Sequence, residues 1–143
     1  MSGTVNAWLV AGGVASGAAA VAHLLCIAGG AAWYRTMGAG ERMARLVEAD
    51  RLGPHLVTLA IAAVLGLWSA YALSGAGLTR PLPLLRPALV AITAVYLLRA
   101  AALPVMLRTM PDRSATFLVV SSAIVLVIGV VHAVGLWRSQ WPT

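Results

Sequence analysis

Carboxylates are nearly missing from this 143-residue chain: Glu41, Glu48, Asp50 and Asp112 are its acids, against ten arginines and no lysine. All four acids stand in connections between long apolar runs. Small four-helix exporters of cationic drugs need a membrane-embedded acid to exchange protons for cargo, so their absence from the runs excludes that class. Cys26 is the single cysteine; no internal disulfide forms, and the redox compartment is not readable from it. Charged residues make up 10% of the chain, far below the roughly 25% of soluble domains. Ser121 and Ser122 have no acid–base pair beside them, and no glycine-rich loop follows a strand pattern, which removes hydrolase and phosphate-cradle chemistry.

What the chain has in abundance is apolar length. Hydrophobic residues are 61% of it, with a mean hydropathy of +0.91. Four runs, 7–34, 55–74, 87–107 and 114–137, reach the about 20 residues that cross a hydrocarbon core. The first has no basic residue ahead of it and exceeds the about 7–15-residue core of a cleavable signal, so it reads as a retained helix. The expected fold is all-α: one domain over residues 1–143, an integral membrane up-down bundle of four transmembrane helices. Between helices 1 and 2, Glu41 and Arg45 at four apart and Glu48 and Arg51 at three predict a short amphipathic helix, with Met43, Leu46 and Val47 as its apolar side. Pro81, Pro83 and Pro87 predict a stiff, extended second connection over residues 74–87.

Small residues at helical spacing supply the packing seams that lipid-embedded helices need. They are Gly13 and Gly17 with Gly12 and Ser16 in the first run; Thr58, Ala62, Gly66 and Ala70 in the second; and Ser122, Val125, Gly129 and His132 in the fourth. Spacing does not say whether the neighbour is another helix of this chain or a second protomer. The first and third connections carry six arginines and the opposite face three, so the positive-inside rule places both termini outside the cytoplasm. Trp8, Trp33, Tyr34, Trp137 and Trp141 stand near run ends, as interfacial anchors do. The +6 net charge records orientation and contact with anionic lipid rather than nucleic acid. Arginine without lysine, together with the alanine and glycine load, reflects a GC-rich genome.

Arg99 is the residue that costs most. It lies near the middle of the third run, where a charge costs from about 2.5 kcal/mol upward and normally faces a protein interior, a wet cavity or a ligand. Snorkelling toward the cytoplasmic side and burial in the bundle are the two alternatives. Tyr96, three residues earlier, shares its face and offers a phenol oxygen to the guanidinium or to a common ligand, and Pro104 has no N–H to donate to the Ala100 carbonyl, leaving an acceptor one turn away. His23 is expected within about one helical turn of Arg99 in depth. The candidate ligand-binding residues are therefore Arg99, Tyr96 and His23, supported by Pro104, Ser122 and His132. With no acid in the spans, Arg99 is balanced by a loop acid, by carbonyl dipoles or by an anionic ligand: a lipid phosphate, a fatty carboxylate or the polar head of a quinone-like molecule. No metal or cofactor is expected. His23 and Cys26 are too few to hold a metal, and His23 and His132 differ by roughly two turns in depth, too far for a haem clamp.

The runs GAGERMARLVEA, PHLVTLAIAAVLGLWSAYALSGAG and LVAITAVYLLRA resemble a family of small bacterial four-helix inner-membrane proteins with no assigned activity. The resemblance extends from about His23 to His132; it implies the four-helix fold and carries over no activity. ERMARLVEADRLGP is also superficially similar to the membrane-associated eicosanoid and glutathione metabolism family, whose four-helix members bind glutathione as trimers. That family's Arg, Asn and Glu pattern is unmatched here, since Asn6 is the chain's sole asparagine. Three functions follow for test. The first is a binding or carrier module for an amphipathic anion at Arg99; the second is a glutathione-type transferase; the third is an accessory subunit whose seams dock a larger membrane partner, with Arg99 paired to that partner's acid. A homo-oligomer is the other association that the seams allow.

Overall fold

The structure, a computed structural model, describes residues 4–139. Among them are six helices and no strand: α1 (Ala7–Thr36), α2 (Glu41–Glu48), α3 (Gly53–Gly75), α4 (Leu85–Ala101), α5 (Leu103–Thr109) and α6 (Ala115–Arg138). Three of these, α1, α3 and α6, are long and apolar enough to cross a membrane; α4 and α5 meet that test only as a pair. The third apolar run is thus not the single straight helix its hydropathy predicts. It breaks at Ala102 and bends by 53°. Pro104, in the first turn of α5, explains the break, because it lacks the N–H for the helical ladder and its ring crowds the preceding turn. α1 is also interrupted, at Gly30, whose φ of 63° and ψ of −158° are open to glycine and costly for other residues.

The long helices pack in a ring, α1 against α3 and α6, and α4 against the same two. Gly13 meets Ala72 and Leu73, and Gly17 meets Ser69, so the predicted GxxxG seam is filled by α3 of the same chain. Gly129 takes Tyr96 and Leu97 of α4, and Gly135 takes Leu9 of α1. At Gly13, Gly129 and Gly135 the neighbour lies so close that a Cβ would come within 3.0 Å of it, which is how helices gain contact where lipid gives no hydrophobic drive. The predicted α3 row divides: Thr58 and Ala62 are buried, whereas Gly66 and Ala70 face outward.

Asn6, which no pattern singled out, ties one end of the ring. Its Oδ1 accepts from the Trp8 and Leu9 N–H groups and caps α1, while its Nδ2 donates to the Gly135 carbonyl (2.8 Å) and Ser139 Oγ (3.0 Å) of α6. Its backbone N–H donates to the Ala76 carbonyl just past α3. One side chain and its amide thus join three helix ends. The 76–84 connection is not a free extended crossing: Ser74 Oγ donates to the Arg80 carbonyl and accepts from the Leu82 N–H, folding the segment back on α3. α4 then starts at Leu85, with Pro87 inside its first turn, where a missing N–H costs nothing.

At the opposite end α2 forms as predicted, but its ion pairs differ. Glu41 binds Arg45 (3.2 Å), whereas Glu48 binds Arg35 of α1 (2.8 Å) instead of Arg51. The helix stops at Glu48, and Asp50 takes a left-handed φ of 52°, which carries Arg51 off the helical spiral. Trp8, Trp33 and Trp137 are exposed at helix ends. Tyr34 is no surface anchor: it is 1% exposed and donates to Thr58 Oγ1 (3.0 Å) on α3. Trp141 lies outside the described residues.

Candidate ligand site at Arg99

Arg99 occupies the last turn of α4, one turn before the break. Its side chain is half-buried against α6, with Nη1 donating to Ser122 Oγ (3.1 Å) and Nη2 to Ser121 Oγ (3.5 Å), the latter a long contact. Ser122 is seven residues into α6, about 10 Å from its start at 1.5 Å per residue. The guanidinium therefore lies nearer the α2 end than the middle of its apolar run. Among the described residues the ion pairs join only Arg35, Arg45, Glu41 and Glu48, so Arg99 has no carboxylate partner. Two neutral hydroxyls orient a guanidinium; they do not neutralise it, and most of its five N–H donors remain available.

Tyr96 does not turn its hydroxyl to Arg99. The phenol oxygen lies 2.7 Å from Ser16 Oγ, a buried hydrogen bond that joins α1 to α4 across the ring. Trp68 of α3 packs edge-on against the Tyr96 ring at 5.0 Å, and His132 of α6 lies on its other flank at 5.3 Å. All four long elements thus contribute to one polar and aromatic layer. His132 is fully buried, its ring against the backbone of Gly12, where an added Cβ would lie 2.6 Å from the ring. Its Nδ1 stands 2.9 Å from the Ile128 carbonyl. A carbonyl only accepts, so that nitrogen holds the proton and Nε2 presents a lone pair. Among the described residues Nε2 is the one buried side-chain polar atom without a hydrogen-bond partner.

His23 stays apart from this layer. The Ser16–Tyr96 contact sets the register of α1 on α4, and the Gly75–Leu89 and Gly13–Ala72 contacts show that the two helices start at the same end. Arg99 is then level with residue 19, and His23 is one turn nearer the α2 end, about 6 Å along the axis. The His23 Nδ1 bonds the Ala19 carbonyl at 2.7 Å and no group of α4. His132 packs on Gly12, eleven residues and about 16 Å from His23 along α1, so the two imidazoles do not share a plane across the bundle.

Of the residues singled out from sequence, Arg99 and Ser122 meet, and Tyr96 and His132 meet. Ser16 and Ser121 were not singled out as site residues. Ser16 had a signal, its place on the Gly12 seam; Ser121 had only its position beside Ser122. No family model, no curated protein and no solved structure matches the chain.

Proposed function

We propose that this protein crosses a bacterial inner membrane four times as an up-down bundle, with α4 and α5 forming one broken span and both termini outside the cytoplasm. In that frame it binds the polar head of an amphipathic anion, or of a quinone- or lipid-like molecule, at Arg99. Six arginines at the α2 end and three at the Asn6 end support this orientation. The observation that carries the binding reading is the guanidinium itself, set in an apolar α4–α6 wall on two serine hydroxyls and without a carboxylate. A planar, permanently charged fork suits a carboxylate or phosphate, which would supply the counter-charge that the described residues do not. The break at Ala102 leaves the wall interrupted one turn away, on the side from which a headgroup enters. Tyr96 acts through Ser16 as a positioning residue for α4, and His23 supplies a polar surface one turn nearer the α2 end.

Native mass spectrometry of the detergent-purified protein, with extraction and identification of anything retained, tests this. The expected result is a co-purifying amphipathic anion that Arg99→Ala loses. Arg99→Lys keeps the charge and loses the fork, weakening retention about tenfold, the equivalent of one charge-assisted hydrogen bond of roughly 1.5 kcal/mol. Retention unchanged in Arg99→Ala would end the proposal.

A further inference from the structure

A second cationic place lies against α2, built on Arg42 and Arg113; Arg113 stands within coulombic reach of Arg99, but the cleft it lines does not include Arg99. The eight residues of α2 divide by helical spacing into two charged faces. Glu41, Arg45 and Glu48 turn toward Arg35 and saturate one another: Arg35 Nε and Nη1 reach Glu41 and Glu48 at 2.8 Å each. Arg42 is one residue round from Glu41 and so falls outside that network. With Met43 and Leu46 it faces the α5–α6 connection, where Met110, Asp112 and Arg113 complete a cleft of about 270 Å³. Among the described residues Arg42, Arg113 and Asp112 form no ion pair.

The cleft is open to the surface, but the turn beside it is fixed. Asp112 stands directly over Gly40, where a Cβ would come within 2.6 Å of its Oδ2, and Gly40 has a φ of 94° that side chains resist. The Phe117 ring covers Gly38 in the same way, at a φ of 74°. These two close approaches lock the α1–α2 turn onto the start of α6. From behind, Tyr34, Ala44 and Val47 pack with Cys26 and hold α2 against α1. Ligand pockets of drug size run to about 300–1,000 Å³, so this cleft has room for a headgroup and not for a whole lipid. Leu46, on the lining, is partly exposed, giving acyl chains an apolar surface to follow out of the cleft.

We propose that this cleft binds the headgroup of an aminophospholipid of the leaflet on the α2 side, its phosphate between Arg42 and Arg113 and its ammonium on Asp112. Charge complementarity selects this occupant. Two guanidiniums take one phosphate, which alone fits any phospholipid. The third charge is a carboxylate, which repels a headgroup with no positive charge and pairs with an ammonium. Phosphatidylethanolamine is therefore preferred over phosphatidylglycerol, against the usual preference of basic surfaces for net-anionic lipid.

The test is lipid titration of the intact, delipidated protein by native mass spectrometry, using phosphatidylethanolamine, phosphatidylglycerol and phosphatidylcholine of identical chains, with thermal unfolding as a control for folding. Phosphatidylethanolamine should bind tightest. Arg42→Gln/Arg113→Gln should reduce its binding by about tenfold or more, as loss of a charge-assisted contact does. Asp112→Asn should abolish the preference over phosphatidylglycerol, and Arg99→Ala should leave it intact, which separates this site from the one above. Tighter binding of phosphatidylglycerol than of phosphatidylethanolamine to the Arg99→Ala protein, in which the first site is removed, or equal phosphatidylethanolamine binding by the double variant and its parent, would overturn the proposal. So would glycerophosphoethanolamine binding as tightly as the lipid, since the source would then be a soluble phosphate ester.

Discussion

At the Asn6 end of the molecule three helix termini are joined by neutral hydrogen bonds around one side chain, with Leu9 and Leu89 pressed into glycine notches at Gly135 and Gly75. At the α2 end a small buried cluster around Tyr34 and Ala44 is joined by ion pairs between exposed side chains, and the helices that lead there are broken at Gly30 and Ala102. The first half is closed by neutral contacts; the second also relies on charges that water and salt weaken. Both proposed ligand places belong to the second half or its border. That division has a physical reason: a tightly filled seam leaves no volume for a ligand, whereas a broken helix and a charged turn leave both volume and unsatisfied charge.

The largest effect should come from filling a notch in the closed half. Gly12→Ala puts a methyl group against the fully buried His132 ring and should cost about 1–3 kcal/mol, read as a lower unfolding temperature in detergent. Gly17→Ala, where the nearest atom is Ser69 Oγ at 3.2 Å, should cost less; equal losses would mean that the seam is uniformly tight and the His132 contact unexceptional. Asn6→Ala should cost about 1–2 kcal/mol by removing a helix cap together with the bonds to α6. Asn6→Asp keeps the cap acceptor and loses the Nδ2 donor, so it should fall between the two. An Asn6→Ala protein as stable as the parent would show that apolar packing alone closes that end.

The smallest effect lies in the open half and appears only in acid. Hydrogen bonds from Arg35 and then Arg45 hold the Glu41 carboxyl down at about 2, and Arg35 holds Glu48 below the usual carboxylate range. Because both folded-state values lie below the ordinary 4.5, the ionic contribution is complete above that pH and is lost as pH falls from there toward 2. A spin label at Ala49 should gain mobility over that window while one on α6 does not, and Arg35→Gln should remove the pH dependence. Loosening of both labels together would erase the difference between the halves.

Much of this was open to a reader of the sequence. Periodicity and run length locate α1, α3 and α6 to within about two residues, and the Glu41–Arg45 spacing gives α2 its place and one of its ion pairs. Arg99 and Ser122 are both legible there, one by its cost and the other by its seam. What the sequence hides depends on partners far away in the chain. Asn6 reads as an ordinary polar residue until Gly135 is brought beside it. Ser16 reads as a small seam residue until the Tyr96 hydroxyl arrives from 80 residues downstream. The Tyr96 hydroxyl itself was expected at Arg99 because i and i+3 share a helix face, yet a shared face does not fix where a side chain's end finds its hydrogen bond.

Composition and pattern by themselves determined that this chain is helical and lipid-compatible, that its acids stay out of its apolar runs, and that Arg99 stands without a local counter-charge. These are properties of residue type and of distance along one helix, which the chain carries before it folds. Tertiary structure alone decided the rest: which helix fills each glycine notch, that Pro104 turns its run by 53° instead of merely weakening it, and that Glu48 takes Arg35 rather than Arg51. It also decided that Arg42 and Arg113, 71 positions apart, come to face one cleft. Such pairings are set by how rigid helices of given length close on one another, and hydropathy, which has no direction in space, does not encode them.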